Sequence, residues 1–479
     1  MQILHVASEV APFAKVGGLA DVVMGLSREL TAEGHDVHVL IPSYQCIEKK
    51  QLIPEGKLEK FTTELDGRAL NASVRYMRFD NVPILLLDTD QEYWGQLSAI
   101  YAEDVERFTF FCRAVTDWLK VTDLSPDVIH VHDWPTALLP VLAPAQGYKG
   151  GRFVFTMHNF EFQGQCQWDD LERVGLKAQE IEETSLLQDP HKRCLNLVKG
   201  GLLTADRVTT VSPTYAKEVM TPEFGFGLED VLVGIKDKFS GILNGIDHSY
   251  WDPQNDEYLS ERYSASQGHE KVCMAKMRNK KELFSDLDIP LRKGIPLLSS
   301  VTRLVPQKGI WLLHDLFSQA EQLDFQVLLL GSLASPEAQK SFESLDLMLR
   351  KKGRGAVLFG SDERCAHRIF AASDMFVAPS LFEPCGLTQL ISLRYGTVPI
   401  VRKTGGFADT VVDVLASEDS NGFSFSQPDP LLLQKSVVRA LEWYGDGERW
   451  RSLIMRGKRQ DFSWRHSVGG YMKLYKSIV

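Results

Sequence analysis

Near its start the chain reads Lys15-Val16-Gly17-Gly18-Leu19-Ala20-Asp21, and near its end Lys403-Thr404-Gly405-Gly406-Phe407-Ala408-Asp409. Each copy follows an apolar, strand-like run, Ile3 to Val10 in the first case and Val398 to Val401 in the second. Each also leads into an amphipathic helix, so a glycine pair stands twice at a strand-to-helix turn. Glycine lets a ligand approach the backbone closely, and the unpaired N–H groups and dipole of a first helical turn favour anions. The repeat therefore predicts a phosphate or sugar hydroxyl held between two related halves, although strand-to-helix turns of any α/β protein also use glycine.

Outward from the first copy, strand-like and helix-like runs alternate through the whole sequence, the pattern of parallel sheets covered by helices. The strand-like runs of the first half are Gln2–Val10, Asp36–Ile41, Pro83–Asp88, Asp127–His132, Phe153–His158, Arg207–Ser212 and Gly241–Asn244. Those of the second are Pro296–Val301, Gln326–Gly331, Ala356–Gly360, Met375–Pro379 and Val398–Val401, with helices over Gly309–Gln322, Asp362–Ala372 and Phe407–Leu415. Two doubly wound α/β halves follow. Turn chemistry between Asn244 and Asp256 puts the boundary there.

At 479 residues the chain is too long for one core. Its formal charge of −10 argues against nucleic acid or an anionic membrane as partner. The N-terminus enters a strand at once, which predicts no leader and a cytoplasmic protein. Seven scattered cysteines with no C-x-x-C pair argue against a disulfide framework and a cysteine zinc site.

Ligands of open α/β sheets bind beyond the carboxyl ends of the strands, so residues just past each run are the candidates. Lys15 to Asp21, His132-Asp133-Trp134, His158-Asn159 and Asn244 supply them in the first half. Arg303, Lys308 and Glu383 through Thr388 supply them in the second. Arg303 and Lys308 flank a tight turn into a helix and suit a diphosphate, unless they are ordinary surface charges. Glu383 either binds hydroxyls or caps a helix opened by Gly386, Leu387 and Thr388. Cys385 reads as a small buried thiol. His130, His132 and His158 invite a metal, but hydrogen-bonding histidines are the simpler reading, since third and fourth ligands are not evident.

Taken together, Lys-Val-Gly-Gly-Leu-Ala-Asp-Val, His-Asp-Trp, Met-His-Asn, Asn-Gly-Ile-Asp, Arg-Leu-Val-Pro-Gln-Lys-Gly, Glu-Pro-Cys-Gly-Leu-Thr-Gln and Tyr-Gly-Thr-Val-Pro-Ile-Val-Arg-Lys-Thr-Gly-Gly resemble the bacterial glycogen synthases and plant starch synthases. The resemblance runs from residue 1 to about 466. It implies the GT-B fold, two Rossmann-like domains facing a deep cleft. They would span 1–245, joined by a C-terminal helix of about 462–479, and 246–461. The implied reaction moves glucose from ADP-glucose to the non-reducing end of an α-1,4-glucan such as glycogen, with retention, and needs no cofactor and no metal. It implies nothing about oligomeric state.

Carried onto this sequence, the resemblance makes His158, Arg303, Lys308 and Glu383 catalytic. His158 would lie over the anomeric centre, Arg303 and Lys308 would hold the diphosphate, and Glu383 would bind the donor glucose. Lys15, Gly17 and Gly18 would contact diphosphate and sugar, with Asp21 shaping their loop. Cys385, Gly386, Leu387 and Thr388 would add backbone and hydroxyl contacts, while Asp133, Asn159 and Asn244 would line the sugar and acceptor side. Departures from the family pattern are Leu381 for an arginine, an altered Tyr93–Gln96 loop, and Ser361 where an aromatic ring often stacks on adenine. Ser361 leaves UDP-glucose as an alternative donor. A non-catalytic glucan-binding protein on the same fold is the alternative from another class.

Overall fold

Ile3, Leu4, His5 and Val6 are at most 1% exposed, as befits a central parallel strand covered on both faces. A computed structural model describes residues 1–47, 52–90, 94, 104–177, 186–333 and 335–479. These form two units, Met1–Gly245 with Trp464–Val479, and Ile246–Ser463. Of the Tyr93–Gln96 stretch only Trp94 lies within the described residues.

The first unit contains strands β1 (Gln2–Val6), β2 (Asp36–Pro42), β3 (Ile53–Leu65), β4 (Arg68–Phe79), β5 (Val82–Thr89), β6 (Val128–His132), β7 (Arg152–Met157), β8 (Gln165–Cys166), β9 (Leu195–Asn196), β10 (Arg207–Thr210) and β11 (Phe239–Gly241). Nine of them make one sheet, ordered β11-β10-β7-β6-β1-β2-β5-β4-β3, while β8 and β9 pair separately. Pairing in the large sheet is parallel except where β4 meets β3 and β5. The strand order reverses at the β1–β6 edge, since β2 and β5 continue on one side and β7 and β10 on the other. Such a switch point opens a crevice beyond the strand ends.

The second unit has β12 (Leu297–Leu304), β13 (Gln326–Leu333), β14 (Gly355–Phe359), β15 (Met375–Ala378), β16 (Val398–Arg402) and β17 (Phe423–Phe425). They form an all-parallel sheet ordered β14-β13-β12-β15-β16-β17. Here the order reverses between β12 and β15, and a large apolar core including Leu297, Leu298, Phe376 and Ile400 surrounds these strands.

The last helix, Trp464–Lys476, belongs to the first unit. Its Trp464, Val468, Tyr471 and Tyr475 form a core cluster with Ile3, Val22, Leu26, Val128 and Val154.

The structure departs from the sequence reading in several places. The long β3–β4 hairpin was not expected, because most of β3 is exposed and its residues from Ile53 to Lys60 carry no buried apolar stripe. β11 ends at Gly241, ahead of the expected Gly241–Asn244 run, and β17 is additional. The helix expected over Phe407–Leu415 is Gly405–Thr410 instead. It stops where Val411 takes an extended conformation, and the consecutive β-branched residues Thr410, Val411 and Val412 favour that exit.

Candidate active site

In the first unit the glycine loop follows β1 and Gly17 is the cap residue before the helix Gly18–Ala32. Its side-chain neighbour is not solvent alone. The fully buried Glu9 carboxylate accepts the backbone N–H of Val16 at 2.5 Å and of Gly17 at 3.0 Å. Val16 and Gly17 lie ahead of the helix, so Glu9 takes the donors of the loop and not those of the first helical turn, which were expected to face a ligand. Glu9 thus fixes the loop ahead of the helix, while Gly18 stays exposed. Exposed Lys15 pairs with Asp21 at 3.0 Å, which ties the loop's cation to the first turn of its helix.

Across the switch point, Asp133 follows β6 with φ 57°, and its Oδ1 accepts the N–H of His158 at 2.6 Å. Burial pushes the Asp133 carboxyl up to about 7, against the opposing pull of the His158 and Asn159 N–H groups. His158 and Asn159 directly follow β7, and Asn159 Oδ1 accepts the N–H of Glu161 at 3.0 Å. Asn244 is buried, and its Oδ1 has no hydrogen-bond partner among the described residues.

His130, His132 and His158 are joined by His5 from β1, whose residue is in register with His130. His5 Nδ1 and His132 Nε2 share a hydrogen bond of 3.0 Å, and His132 Nδ1 shares one of 3.2 Å with His158 Nε2. His130 bonds Tyr475 through Nδ1 at 2.7 Å and Thr156 through Nε2 at 2.6 Å. One ligand atom from each of His5, His130 and His132 falls within 4.8 Å of the others. Both nitrogens of His130 and of His132 are nevertheless engaged in hydrogen bonds. Burial depresses all four rings, His5 and His158 to about 3, so each is neutral near pH 7.

The second unit places Lys308 and Glu383 together although they are 75 positions apart in sequence. Lys308 Nζ lies 2.8 Å and 2.6 Å from the two Glu383 oxygens, and Ser380 Oγ donates to Oε2 at 2.8 Å. The pair is mostly buried, with side-chain exposures of 18% and 9%. Lys308 comes from the turn after β12 and Glu383 from the loop after β15, so they flank this sheet's switch point. Arg303, near the end of β12, is exposed. The loop is gripped from behind by Arg402, whose Nε donates to the Ser380 carbonyl at 2.7 Å and whose guanidinium also bonds the Leu381 carbonyl. That places a buried cation on β16 behind Leu381.

The second glycine pair packs against this loop. Gly406 N–H donates to the carbonyls of Glu383 at 3.1 Å and Pro384 at 3.2 Å. Gly405 has φ 44°, and a Cβ there would sit 1.9 Å from the Glu383 carbonyl oxygen. At Gly406 a Cβ would sit 2.0 Å from the Cys385 carbonyl oxygen. The echo of the opening motif is therefore a seat for the backbone of residues 383–385, with no outward cradle at Gly406. Cys385 is buried, and half-buried Gly386, Leu387 and Thr388 lead into the helix Thr388–Arg394.

Sequence reasoning missed Glu9, His5, Ser380 and Arg402. His5 and Glu9 had a signal, being polar residues inside the otherwise apolar Ile3–Val10 run. Ser380 and Arg402 had none, because their role depends on how the β15 and β16 ends meet.

Residues 2–234 match the family described as starch synthase catalytic domain, and residues 282–458 match glycosyl transferases group 1. A glycogen synthase of Protochlamydia amoebophila is 40% identical over 100% of this chain and 99% of its own. The catalytic domain of starch synthase IV from Arabidopsis thaliana, solved bound to ADP and acarbose, superposes with a TM-score of 0.92. It is 35% identical, over 100% of this chain and 99% of that one. Sucrose-phosphate synthase from Thermosynechococcus elongatus shares the fold alone, at a TM-score of 0.63 and 16% identity over 100% and 99% of the two chains. With two Rossmann-ordered sheets of the GT-B kind and full-length identity at this level, the chain belongs to the glycogen/starch synthase family of glycosyltransferases.

Proposed function

We propose that this enzyme transfers glucose from ADP-glucose to the 4-hydroxyl at the non-reducing end of an α-1,4-glucan, with retention of configuration. The observation that carries the reading is the Lys308–Glu383–Ser380 cluster at a switch point, with Arg303 near the end of β12, the strand that leads into the Lys308 turn. Lys308 spends two contacts on Glu383, and its ammonium has three N–H donors, so one remains for a phosphate oxygen. Arg303 and Lys308 would then neutralise the diphosphate as it leaves, which stabilises a transition state whose charge grows there. Glu383, held in place by Lys308 and Ser380, would accept from hydroxyls of the donor glucose, aided by Cys385, Gly386, Leu387 and Thr388.

In the first unit, Lys15, Gly17, Gly18 and Asp21 would meet the diphosphate and sugar. His158 would lie over the anomeric carbon, with Asp133, Asn159 and Asn244 toward the acceptor. As the bond from C1 to the diphosphate oxygen breaks, the acceptor oxygen bonds C1 on the same face. The acceptor proton passes to the departing diphosphate. The ADP bound to the solved relative supports this donor class. Among the described residues no helix is long and apolar enough to cross a membrane.

Ser361 favours a second donor, because this exposed residue just after β14 offers no ring to stack on a base. Labelled ADP-glucose and UDP-glucose at equal concentration, offered with glycogen, decide between them. Incorporation is expected to come chiefly from ADP-glucose; chief incorporation from UDP-glucose would replace the donor assignment.

A further inference from the structure

The three hydrogen-bonded rings of His5, His132 and His158 constrain one another in a way that pairwise contacts do not. A neutral imidazole carries one N–H, so it cannot donate from both nitrogens or accept at both. Burial keeps these rings neutral. Through the 3.0 Å and 3.2 Å bonds, the tautomer of one ring then dictates that of the next. Only two arrangements exist. In one, protons point from His158 toward His5, which leaves an N–H on His5 Nε2. In the other they point from His5 toward His158, which leaves His5 Nε2 bare and puts the proton of His158 on Nδ1.

The free end of the chain chooses between them. His5 is 0% exposed, and its Nε2 has no hydrogen-bond partner among the described residues. Backbone N–H groups are orphaned inside folded proteins less often than carbonyl acceptors, and the same preference carried to the ring makes the bare nitrogen the favoured end. At the other end His158 is half-buried, and its bonds to His132 and Asp133 use Nε2 and the backbone N–H, not Nδ1.

We infer that His5 and His132 are positioning residues that hold His158 as its Nδ1–H tautomer, presenting a hydrogen-bond donor to an oxygen of the donor sugar. This rests on the reading that His158 faces that sugar. A structural filler at position 5 would need only volume. A tautomer lock needs a donor at the place of Nδ1, which an asparagine amide can supply and a leucine cannot.

The test is long-range ¹H–¹⁵N correlation on the full chain with ¹⁵N-labelled imidazoles, His158 being identified by the signal lost in His158→Gln. Wild type is expected to show His158 protonated at Nδ1 and bare at Nε2. The Nε2–H form in wild type would overturn the inference without any variant. Kinetics on His5→Asn and His5→Leu supply the second readout. The leucine variant is expected to lose about tenfold in kcat, one hydrogen bond's worth, with KM for ADP-glucose changed less. The asparagine variant should recover most of that loss, and equal kcat in the two would refute the positioning role. If wild type transfers no glucose from ADP-glucose, the functional reading fails, yet the tautomer spectrum still reports on the histidine chain.

Discussion

Glu383→Gln is expected to lower kcat on the order of 100-fold, the usual cost of losing a group that positions the reacting sugar. The substitution keeps the side chain's size but removes the charge that Lys308 contacts at 2.6 Å. It therefore also costs stability, because a mostly buried ammonium loses its carboxylate; for a fully buried pair the cost is about 3–5 kcal/mol, and the 18% exposure of Lys308 reduces it. These two losses separate in the double variant Lys308→Met, Glu383→Gln. With no orphan charge left, it should regain much of the lost melting temperature and none of the activity. Recovery of turnover in the double variant would mean that Glu383 serves only to neutralise Lys308.

Gly406→Ala should be nearly as damaging, although Gly406 is given no contact with substrate. Its added Cβ would meet the Cys385 carbonyl oxygen at 2.0 Å and the carbonyl carbon at 2.5 Å. Backbone cannot rotate away as a side-chain tip would, so the loop carrying Glu383 has to move. A displacement of about 1 Å at a positioning group costs on the order of 100-fold in rate, and overpacking adds about 1–3 kcal/mol of destabilisation. Lys403→Ala is the matched control. Lys403 is exposed, and its backbone N–H, which bonds the Phe425 carbonyl, survives the change. Its kinetics should stay close to wild type. A harmless Gly406→Ala beside a crippled Lys403→Ala would show that the second motif works through its cation.

The alternation of elements was legible because parallel strands are apolar on both faces. β1, β2, β5, β6, β7, β10, β12, β13, β14, β15 and β16 each have both ends within three residues of an expected run, except that the run expected at β1 reaches Val10, four residues past the strand's end at Val6. β3 and β4 escaped because an edge hairpin with a wetted face carries charge where a buried strand carries valine or leucine. Candidate residues past the strand ends could be named for the same reason that the strands could. Their partners could not. Lys308 meets Glu383 only because β12 and β15 are neighbours in the sheet, and no local pattern encodes that adjacency. The twin glycine motifs show the limit most clearly. Identical in spacing, one has the N–H groups of Val16 and Gly17 on the buried Glu9, seven and eight residues upstream, and the other has the N–H of Gly406 on the carbonyls of Glu383 and Pro384.

The central claim is glucose transfer to the non-reducing end of an α-1,4-glucan. It is tested most directly by incubating the enzyme with glucose-labelled ADP-glucose and glycogen, then digesting the washed polymer with β-amylase, which removes maltose from non-reducing α-1,4 ends. The account predicts label in the polymer and its release as maltose. A polymer without label, or label that β-amylase leaves behind in unbranched chains, would contradict it.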